Sequence, residues 1–142
     1  MAGVVVRQYD IPANDFTIAG EASSTVRKIL SQLGVSPDIV KRASIAMYEA
    51  EINAVIHGNG GQAHIEIDSN KICIRISDQG PGIADLELAM QEGYSTAPDS
   101  IREMGFGAGM GLSNIKKHAD ELKINTEIDK GTTVSITVFF KQ

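Results

Sequence analysis

Glycine recurs at every second position between residues 105 and 111 of this chain, a spacing that indicates a ligand-binding loop. The four glycines are Gly105, Gly107, Gly109 and Gly111. Because glycine lacks a Cβ and readily adopts positive φ, its backbone N–H groups can close around a ligand. An apolar helical pattern follows at once, and a helix start adds unpaired N–H groups and the positive end of a dipole. The stretch therefore favours a phosphate-binding loop over a flexible turn.

The familiar glycine motifs do not fit this stretch. A G-x-G-x-x-G pattern would need glycine at Met110 or Leu112, and a strand upstream where residues 97–100 read Ala-Pro-Asp-Ser. No Gly-Lys-Ser or Gly-Lys-Thr occurs in the chain, which excludes a P-loop. A phosphate bound here must be held in another way.

Two polar residues interrupt a long apolar segment. Residues 37–57 are predicted to form a helix that starts at a Ser-Pro pair and is largely buried. Glu49 and Asn53 share one stripe of this helix at i, i+4 spacing. Because a buried carboxylate is costly without partners, the pair indicates either a hydrogen bond that ties helix to sheet or two groups aimed at a ligand. Glu51 lies about 160° around the helix from Glu49, and we interpret it as part of a solvated face.

Asp78 ends a predicted strand and is followed by a turn that contains Gly80 and Gly82. Such a turn keeps the backbone close to whatever lies against it. Two interpretations are open: an Asx-turn, or a carboxylate that accepts a hydrogen bond from a ligand amino group while the two glycines make room for a flat ring. Residues 85–104 show little apolar periodicity and are interpreted as a lid.

Apolar periodicity predicts the elements that must position these residues. Strands are predicted over 4–11, 63–68, 71–77, 122–128 and 132–140, and helices over 21–33, 37–57 and after Gly111. Gly34 is the expected stop of the first helix. The order predicts an α+β fold, with one antiparallel or mixed sheet that carries its helices on one face. With 142 residues, 42% of them hydrophobic, the chain is predicted to form a single domain over residues 1–142.

Composition narrows the class of function. The net charge is −5 and no basic run exceeds two residues, which argues against a nucleic-acid partner. No apolar run is long enough to span a membrane and no signal-peptide pattern begins the chain, so we expect a cytoplasmic protein without membrane contact. The one cysteine, Cys73, is interpreted as a small buried hydrophobe. His64 and His118 have no metal-ligand neighbours in the sequence and are expected at the surface or its boundary.

Four short motifs occur in an order known from one ATPase superfamily: Glu49-x-x-x-Asn53, Asp78-x-Gly80-x-Gly82, residues 105–111 and Gly131-Thr132-Thr133. They resemble, in turn, the N box, the two glycine boxes and the threonine-bearing late strand of the superfamily that contains gyrase, the heat-shock chaperone ATPases, histidine kinases and the mismatch-repair ATPases (GHKL). The resemblance covers nearly the whole chain. It implies the Bergerat, or histidine-kinase-like, ATPase fold, a two-layer α/β sandwich with a mixed, mostly antiparallel sheet.

Within this superfamily the chain resembles the small bacterial anti-sigma factor kinases and the switch kinases of stress signalling. Residues 53–58 are similar to the former, whereas residues 92–96 and 107–109 are more similar to the latter. These families phosphorylate a serine on a small partner protein, usually an anti-sigma antagonist, and some members also hold a sigma factor. The resemblance implies a serine/threonine protein kinase. The alternative is an anti-sigma factor whose bound nucleotide mainly sets its shape, and a homodimer is compatible with either.

The resemblance also implies a role for each matched residue. Glu49 would be the general base that takes the proton from the partner's serine hydroxyl, and Asn53 would bind the Mg²⁺ that bridges the ATP phosphates. Asp78 would read the adenine amino group, with Thr132 assisting. The nucleotide would be enclosed by the glycines Gly80, Gly82, Gly105, Gly107, Gly109 and Gly111. Arg102 falls where the anti-sigma kinases have an arginine that can reach the terminal phosphate, whereas the pattern of the switch kinases is shorter there.

Overall fold

The computed structural model describes residues 4–12, 20–56, 60–80, 111–128 and 130–140. Within these ranges the elements follow the order β1 (Val5–Ile11), α1 (Glu21–Gln32), α2 (Pro37–Ile56), β2 (Gly61–Ile67), β3 (Lys71–Asp78), α3 (Gly111–His118), β4 (Glu121–Glu127) and β5 (Gly131–Phe139). The predicted strands and helices are all present, with bounds that differ from the prediction by one or two residues. Among the described residues, no helix combines the length and apolarity needed to cross a bilayer.

The five strands form one sheet in the order β1-β2-β3-β5-β4, and each of its pairings is antiparallel. The register places Ile65, Ile74 and Ile136 side by side across the central strands, where all three are buried. Because side chains alternate between the faces of a strand, Cys73 lies on the opposite face. It is only half-buried, with Sγ 3.9 Å from the Thr137 hydroxyl, so the prediction of a buried Cys73 is wrong.

Helix α2 is the centre of the helical layer. It packs on β3 and β5 and also contacts α1 and α3, so most of its circumference is covered. Leu30 of α1, Met47 of α2 and Ile115 of α3 are fully buried and join the isoleucines of the sheet in one core. Each such side chain contributes roughly 1.5–3 kcal/mol by leaving water. The predicted α+β architecture, a sheet with its helices on one face, is confirmed.

The end of α1 is a backbone motif that the sequence predicts well. Gly34 has φ of +79°, a left-handed conformation that favours glycine. Its N–H donates to the carbonyl of Ser31 at 3.1 Å, and the N–H of Val35 donates to the carbonyl of Leu30 at 3.2 Å. This pair of bonds is the Schellman motif. It satisfies two of the last carbonyls of α1 and turns the chain into α2.

Candidate functional site

The last two turns of α2 carry the predicted pair Glu49 and Asn53. Their side chains are half-buried, while Ala50, Ile52 and Ala54 between and beside them are buried in the core. The pair therefore lies at the rim of the core, with part of each side chain accessible. A carboxylate and an amide one helical turn apart present oxygen atoms to the same region of space.

Helix α3 packs against α2, the helix that carries Glu49. Burial raises the pKa of the Glu49 carboxyl above its ordinary value, and the side chains of Asn114 and His118, both on α3, oppose that rise. A carboxyl whose pKa is raised accepts a proton more effectively near neutral pH, as a general base must.

Glu51 is buried, and the prediction that it belongs to a solvated face is wrong. Only 1% of the residue is exposed, and its two carboxylate oxygens accept hydrogen bonds from the backbone N–H groups of Gly20 at 2.8 Å and Ser23 at 3.0 Å. These N–H groups belong to the N-cap and the third residue of α1. One side chain of α2 thus satisfies the two donors that a capping box would satisfy from within its own helix. Periodicity missed this contact because α1 covers the side of α2 on which Glu51 lies.

The start of α1 fits closely against α2 around Gly20. This residue has φ of +96°, and it has no side chain with which to cap the helix. A Cβ added there would lie 2.9 Å from Cε1 of Tyr48. Burial raises the pKa of Tyr48, and the negative charges of Glu49 and Glu51 raise it further. Gly20 has no side chain, and the Glu51 carboxylate caps α1 in its place. The start of α1 can therefore approach α2 closely.

Asp78 lies at the end of β3, where its Oδ1 joins two segments of backbone. It accepts a hydrogen bond from the N–H of Gly80 at 3.0 Å and another from the N–H of Thr132 at 3.1 Å. The first of these is the bond of an Asx-turn, so that interpretation of the sequence is correct. The second fastens the carboxylate to β5, which the sequence did not predict. Both bonds fix the direction of the side chain.

Two glycines let the strands approach Asp78. A Cβ at Gly61 would collide with the carbonyl oxygen of Ser77, and a Cβ at Gly131 would collide with the carbonyl oxygen of Asp78 itself. Gly131 also has φ of +105°. Glycine at these two positions is therefore required by the packing at this end of the sheet, independently of any ligand.

Thr132 adjoins Asp78, to which its backbone N–H donates. It is buried, and its hydroxyl lies 2.9 Å from the hydroxyl of Thr126 on β4. The register that pairs Thr126 with Thr132 accounts for this contact. The two hydroxyls and the Asp78 carboxylate form a polar cluster at one end of an otherwise apolar sheet face.

The other predicted site residues are placed less completely. Gly111 is the first residue of α3, so the predicted run from glycines into a helix is confirmed at that point. The predicted lid over 85–104 lies outside the described ranges. So do the predicted site residues Gly82, Arg102, Gly105, Gly107 and Gly109. Asn114 of α3, which the sequence did not single out, is one of the groups that lower the pKa of the Glu49 carboxyl.

The amino-acid sequence matches the profile of a known protein family. The profile of the histidine kinase-, DNA gyrase B- and HSP90-like ATPases covers residues 38–142. The chain belongs to this ATPase family. The resemblance read from the four motifs is thereby confirmed at the level of the family.

Curated relatives show which members of this ATPase family the chain resembles. The anti-sigma F factor of Halalkalibacterium halodurans is 35% identical over 119 residues, which cover 80% of this chain and 78% of the relative. The anti-sigma F factor of Bacillus licheniformis is 32% identical over 122 residues, which cover 82% and 80%. The predicted likeness of this ATPase to anti-sigma factors is therefore confirmed.

Solved structures share the fold of this ATPase. The RsbU and RsbW domains of a protein from Mycobacterium tuberculosis match it with a TM-score of 0.63 and 16% identity, over 94% of this chain and 32% of that one. The SiaB-SiaC complex from Pseudomonas aeruginosa matches it with a TM-score of 0.61 and 12% identity, over 93% and 88%. At these identities the likeness establishes the fold, and the chain spans about a third of the first structure's length.

Proposed function

We propose that this protein is an ATP-dependent serine kinase that acts on a small regulatory protein of the anti-sigma-antagonist type. One observation supports it most strongly: helix α3, which begins at Gly111, packs against α2, the helix that carries the half-buried Glu49. The contact brings the end of the glycine-rich stretch beside a half-buried acid. A phosphate cradle next to a carboxylate that can take a hydroxyl proton is what phosphoryl transfer to serine requires.

The family resemblance supplies the roles proposed for the other residues. Asp78, directed by two backbone bonds, would accept a hydrogen bond from the amino group of adenine, and Thr132 would assist from β5. The glycines named above would enclose the nucleotide, and Arg102 would interact with the terminal phosphate. Phosphoryl transfer needs little covalent help from protein, so these residues act mainly by position and charge.

The donor set suits Mg²⁺ bound together with ATP. Among the described residues there is no cluster of three or more His, Cys, Asp or Glu, but Mg²⁺ usually takes one or two protein oxygens and completes its shell with phosphates and water. The half-buried side chain of Asn53 offers one such oxygen. The cation would neutralise charge on the phosphates, while Glu49 is left to act on the hydroxyl.

A second candidate function is supported by the curated relatives. Because the anti-sigma F factor of Halalkalibacterium halodurans is 35% identical to this chain, the protein can instead be an anti-sigma factor that holds a sigma factor, with the nucleotide setting its shape. The two functions are not exclusive. They differ in whether phosphate leaves ATP for a protein.

Labelled ATP separates the two functions. Partners are first captured from the native cell extract on the tagged protein with ATP or with ADP, and are then incubated with the protein and γ-³²P-ATP. A kinase transfers label to a serine of a captured small protein, which phosphosite mapping identifies. Capture of a sigma factor without label transfer to any partner would instead favour the binding module.

Asn53→Ala should weaken the Mg²⁺-dependent part of ATP binding by roughly tenfold or more. Substitution of a residue that merely supports a metal ligand already lowers metal affinity by about 10–100-fold. Affinity for ATP in EDTA should change little, because the nucleotide contacts of other residues persist. Calorimetric titration in Mg²⁺ and in EDTA measures both values. Asn125→Ala, on the exposed face of β4, is the control. An unchanged Mg²⁺ dependence would remove Asn53 from this role.

Asp78→Asn should reduce the preference for ATP over GTP. Asparagine keeps one oxygen for the N–H groups of Gly80 and Thr132, so the strand end is retained while the second oxygen becomes an N–H donor. Loss of a hydrogen bond to a charged group costs about 1.5–3 kcal/mol, which corresponds to roughly 10–100-fold in ATP affinity. Dissociation constants for both nucleotides test this.

The control for Asp78→Asn is built into the same sheet. Asp68 makes the same kind of turn between β2 and β3, where its Oδ1 accepts the N–H groups of Asn70 at 2.7 Å and Lys71 at 3.0 Å. Asp68→Asn repeats the chemical change at the opposite end of β3 and should leave nucleotide selection unaltered. Equal selectivity in both variants and the unmodified protein would contradict the base-reading role of Asp78.

A further inference from the structure

Two threonines face each other across β4 and β5 at the end of the sheet that carries Asp78. The register pairs Thr126 with Thr132, and their hydroxyl oxygens lie 2.9 Å apart. This length is normal for an O–H···O hydrogen bond, whereas the carbonyl oxygen of Gly131 is 3.5 Å from the Thr126 hydroxyl, which is longer than usual. The hydroxyl pair is thus a defined contact beside Asp78, and Thr126 belongs to none of the four sequence motifs.

Threonine at position 126 interrupts an apolar pattern. The preceding residues on the same face of β4 are Leu122 and Ile124, and both pack against the core. Valine would continue that pattern with nearly the same shape and would bury no hydroxyl, a group whose burial is costly without a hydrogen-bond partner. Packing alone therefore does not explain the hydroxyl of Thr126. Either it stabilises the sheet through a cross-strand threonine pair, or it serves a ligand through Thr132.

We propose that Thr126 is a positioning residue for nucleotide selection: its hydroxyl donates to that of Thr132, which then presents its own proton to the base. This inference rests on the adenine-binding part of the proposed function and not on phosphate transfer. Thr132 is held at two atoms, since its N–H donates to Asp78 at 3.1 Å and its hydroxyl oxygen lies 2.9 Å from that of Thr126. A hydroxyl has one proton, so Thr132 keeps that proton for a third group.

This arrangement suits the edge of adenine and opposes that of guanine or hypoxanthine. Asp78 accepts a hydrogen bond, and the Thr132 hydroxyl beside it donates one. Adenine presents an amino donor next to the ring nitrogen N1, an acceptor, whereas the other two bases present an oxygen acceptor next to an N1–H donor. Without the hydroxyl of Thr126, that of Thr132 is free to rotate and accept from N1–H. Selection of adenine should then weaken.

The first experiment measures the dissociation constants of ATP and ITP by calorimetric titration. ITP differs from ATP only at this edge of the base. Thr126→Val keeps the branched shape and removes the hydroxyl, and it should lower the preference for ATP over ITP about 3–10-fold, the value of one neutral hydrogen bond. Thr126→Ser keeps the hydroxyl and should retain the preference. Thr137→Val makes the same change at a half-buried threonine on the opposite face of β5 and should have no effect.

The ratio of the two affinities separates selection from sheet stability. A threonine pair that only holds the strands together would, when removed, weaken ATP and ITP by the same factor, and that result would overturn the proposal. So would a loss of preference in Thr126→Ser equal to that in Thr126→Val, because the hydroxyl would then not be the group that matters.

A double-mutant cycle tests whether Thr126 acts through Thr132. In a Thr132→Val background, Thr126→Val should leave the ratio of ATP to ITP affinity unchanged, because residues that act as a unit are not additive. A further decrease there would overturn the proposal. If the ratio responds as expected but the unmodified protein transfers no phosphate to any captured partner, the role of Thr126 stands and the proposed kinase function fails. Transfer with a ratio that Thr126→Val leaves unchanged would have the opposite meaning.

Discussion

Glu49→Gln is expected to retain ATP binding and to lose phosphate transfer by about 10²–10⁴-fold, the usual contribution of a positioned acid or base. Glutamine has the shape of glutamate, but it cannot take up the hydroxyl proton. Because the pKa of Glu49 is raised by burial, removal of its charge should stabilise the fold slightly or leave it unchanged. The loss therefore reports chemistry and not unfolding.

Single-turnover transfer from γ-³²P-ATP to the captured partner measures the rate, and titration of the same variant with ATP measures binding. Glu49→Ala should lose the rate to the same extent, and Glu66→Gln, at an exposed position of β2, should behave like the unmodified protein. A parallel decrease in nucleotide affinity and turnover would show that Glu49 holds the nucleotide and does not act as the base.

The fold was predictable because its signals are local. Each central strand alternates isoleucine or valine with polar residues, and since one face of the sheet is buried, alternation fixes which residues point inward. The end of α1 depends on Gly34, whose left-handed φ of +79° is accessible to glycine without strain. Such elements depend on their own residues, and their bounds were accordingly predicted to within one or two positions.

The sequence predicted the individual residues of the candidate site better than it predicted the contacts between them. Asp78 and Thr132 were expected to cooperate, and the structure joins them through the Thr132 N–H at 3.1 Å. The packing of α3 against α2 was not predicted, because it depends on residues far apart in the chain. Glycine spacing predicts a close approach of backbone, but it does not specify which helix packs on the one that carries the acid.

Glu51 shows most clearly where periodicity fails. A helix with a single covered face has its opposite side in water, and on that assumption a residue about 160° from Glu49 is solvated. Helix α2 instead has α1 on one side and α3 on another. Its two acids therefore have different surroundings: Glu49 is half-buried at the rim of the core, and Glu51 is held by the start of α1.

Glu51→Ala is expected to destabilise the protein by about 2–6 kcal/mol. The substitution leaves the N–H groups of Gly20 and Ser23 without an acceptor in a region where Glu51 is only 1% exposed, and each unsatisfied buried donor costs about 1–3 kcal/mol. Gly20 has no side chain that could replace the cap. Urea unfolding followed by circular dichroism, in the absence of nucleotide, gives the free energy of unfolding by linear extrapolation.

Glu21→Ala is the matched control, because Glu21 lies in the first turn of the same helix but is exposed. Its charge interacts favourably with the helix dipole, so the substitution should cost about 0.3–1 kcal/mol of stability. Glu51→Gln keeps one acceptor oxygen and should fall between the two alanine variants. If Glu51→Ala and Glu21→Ala cost the same, the two bonds to α1 contribute nothing beyond a surface charge, and α1 must be held to α2 by apolar packing of Val26 and Leu30 alone.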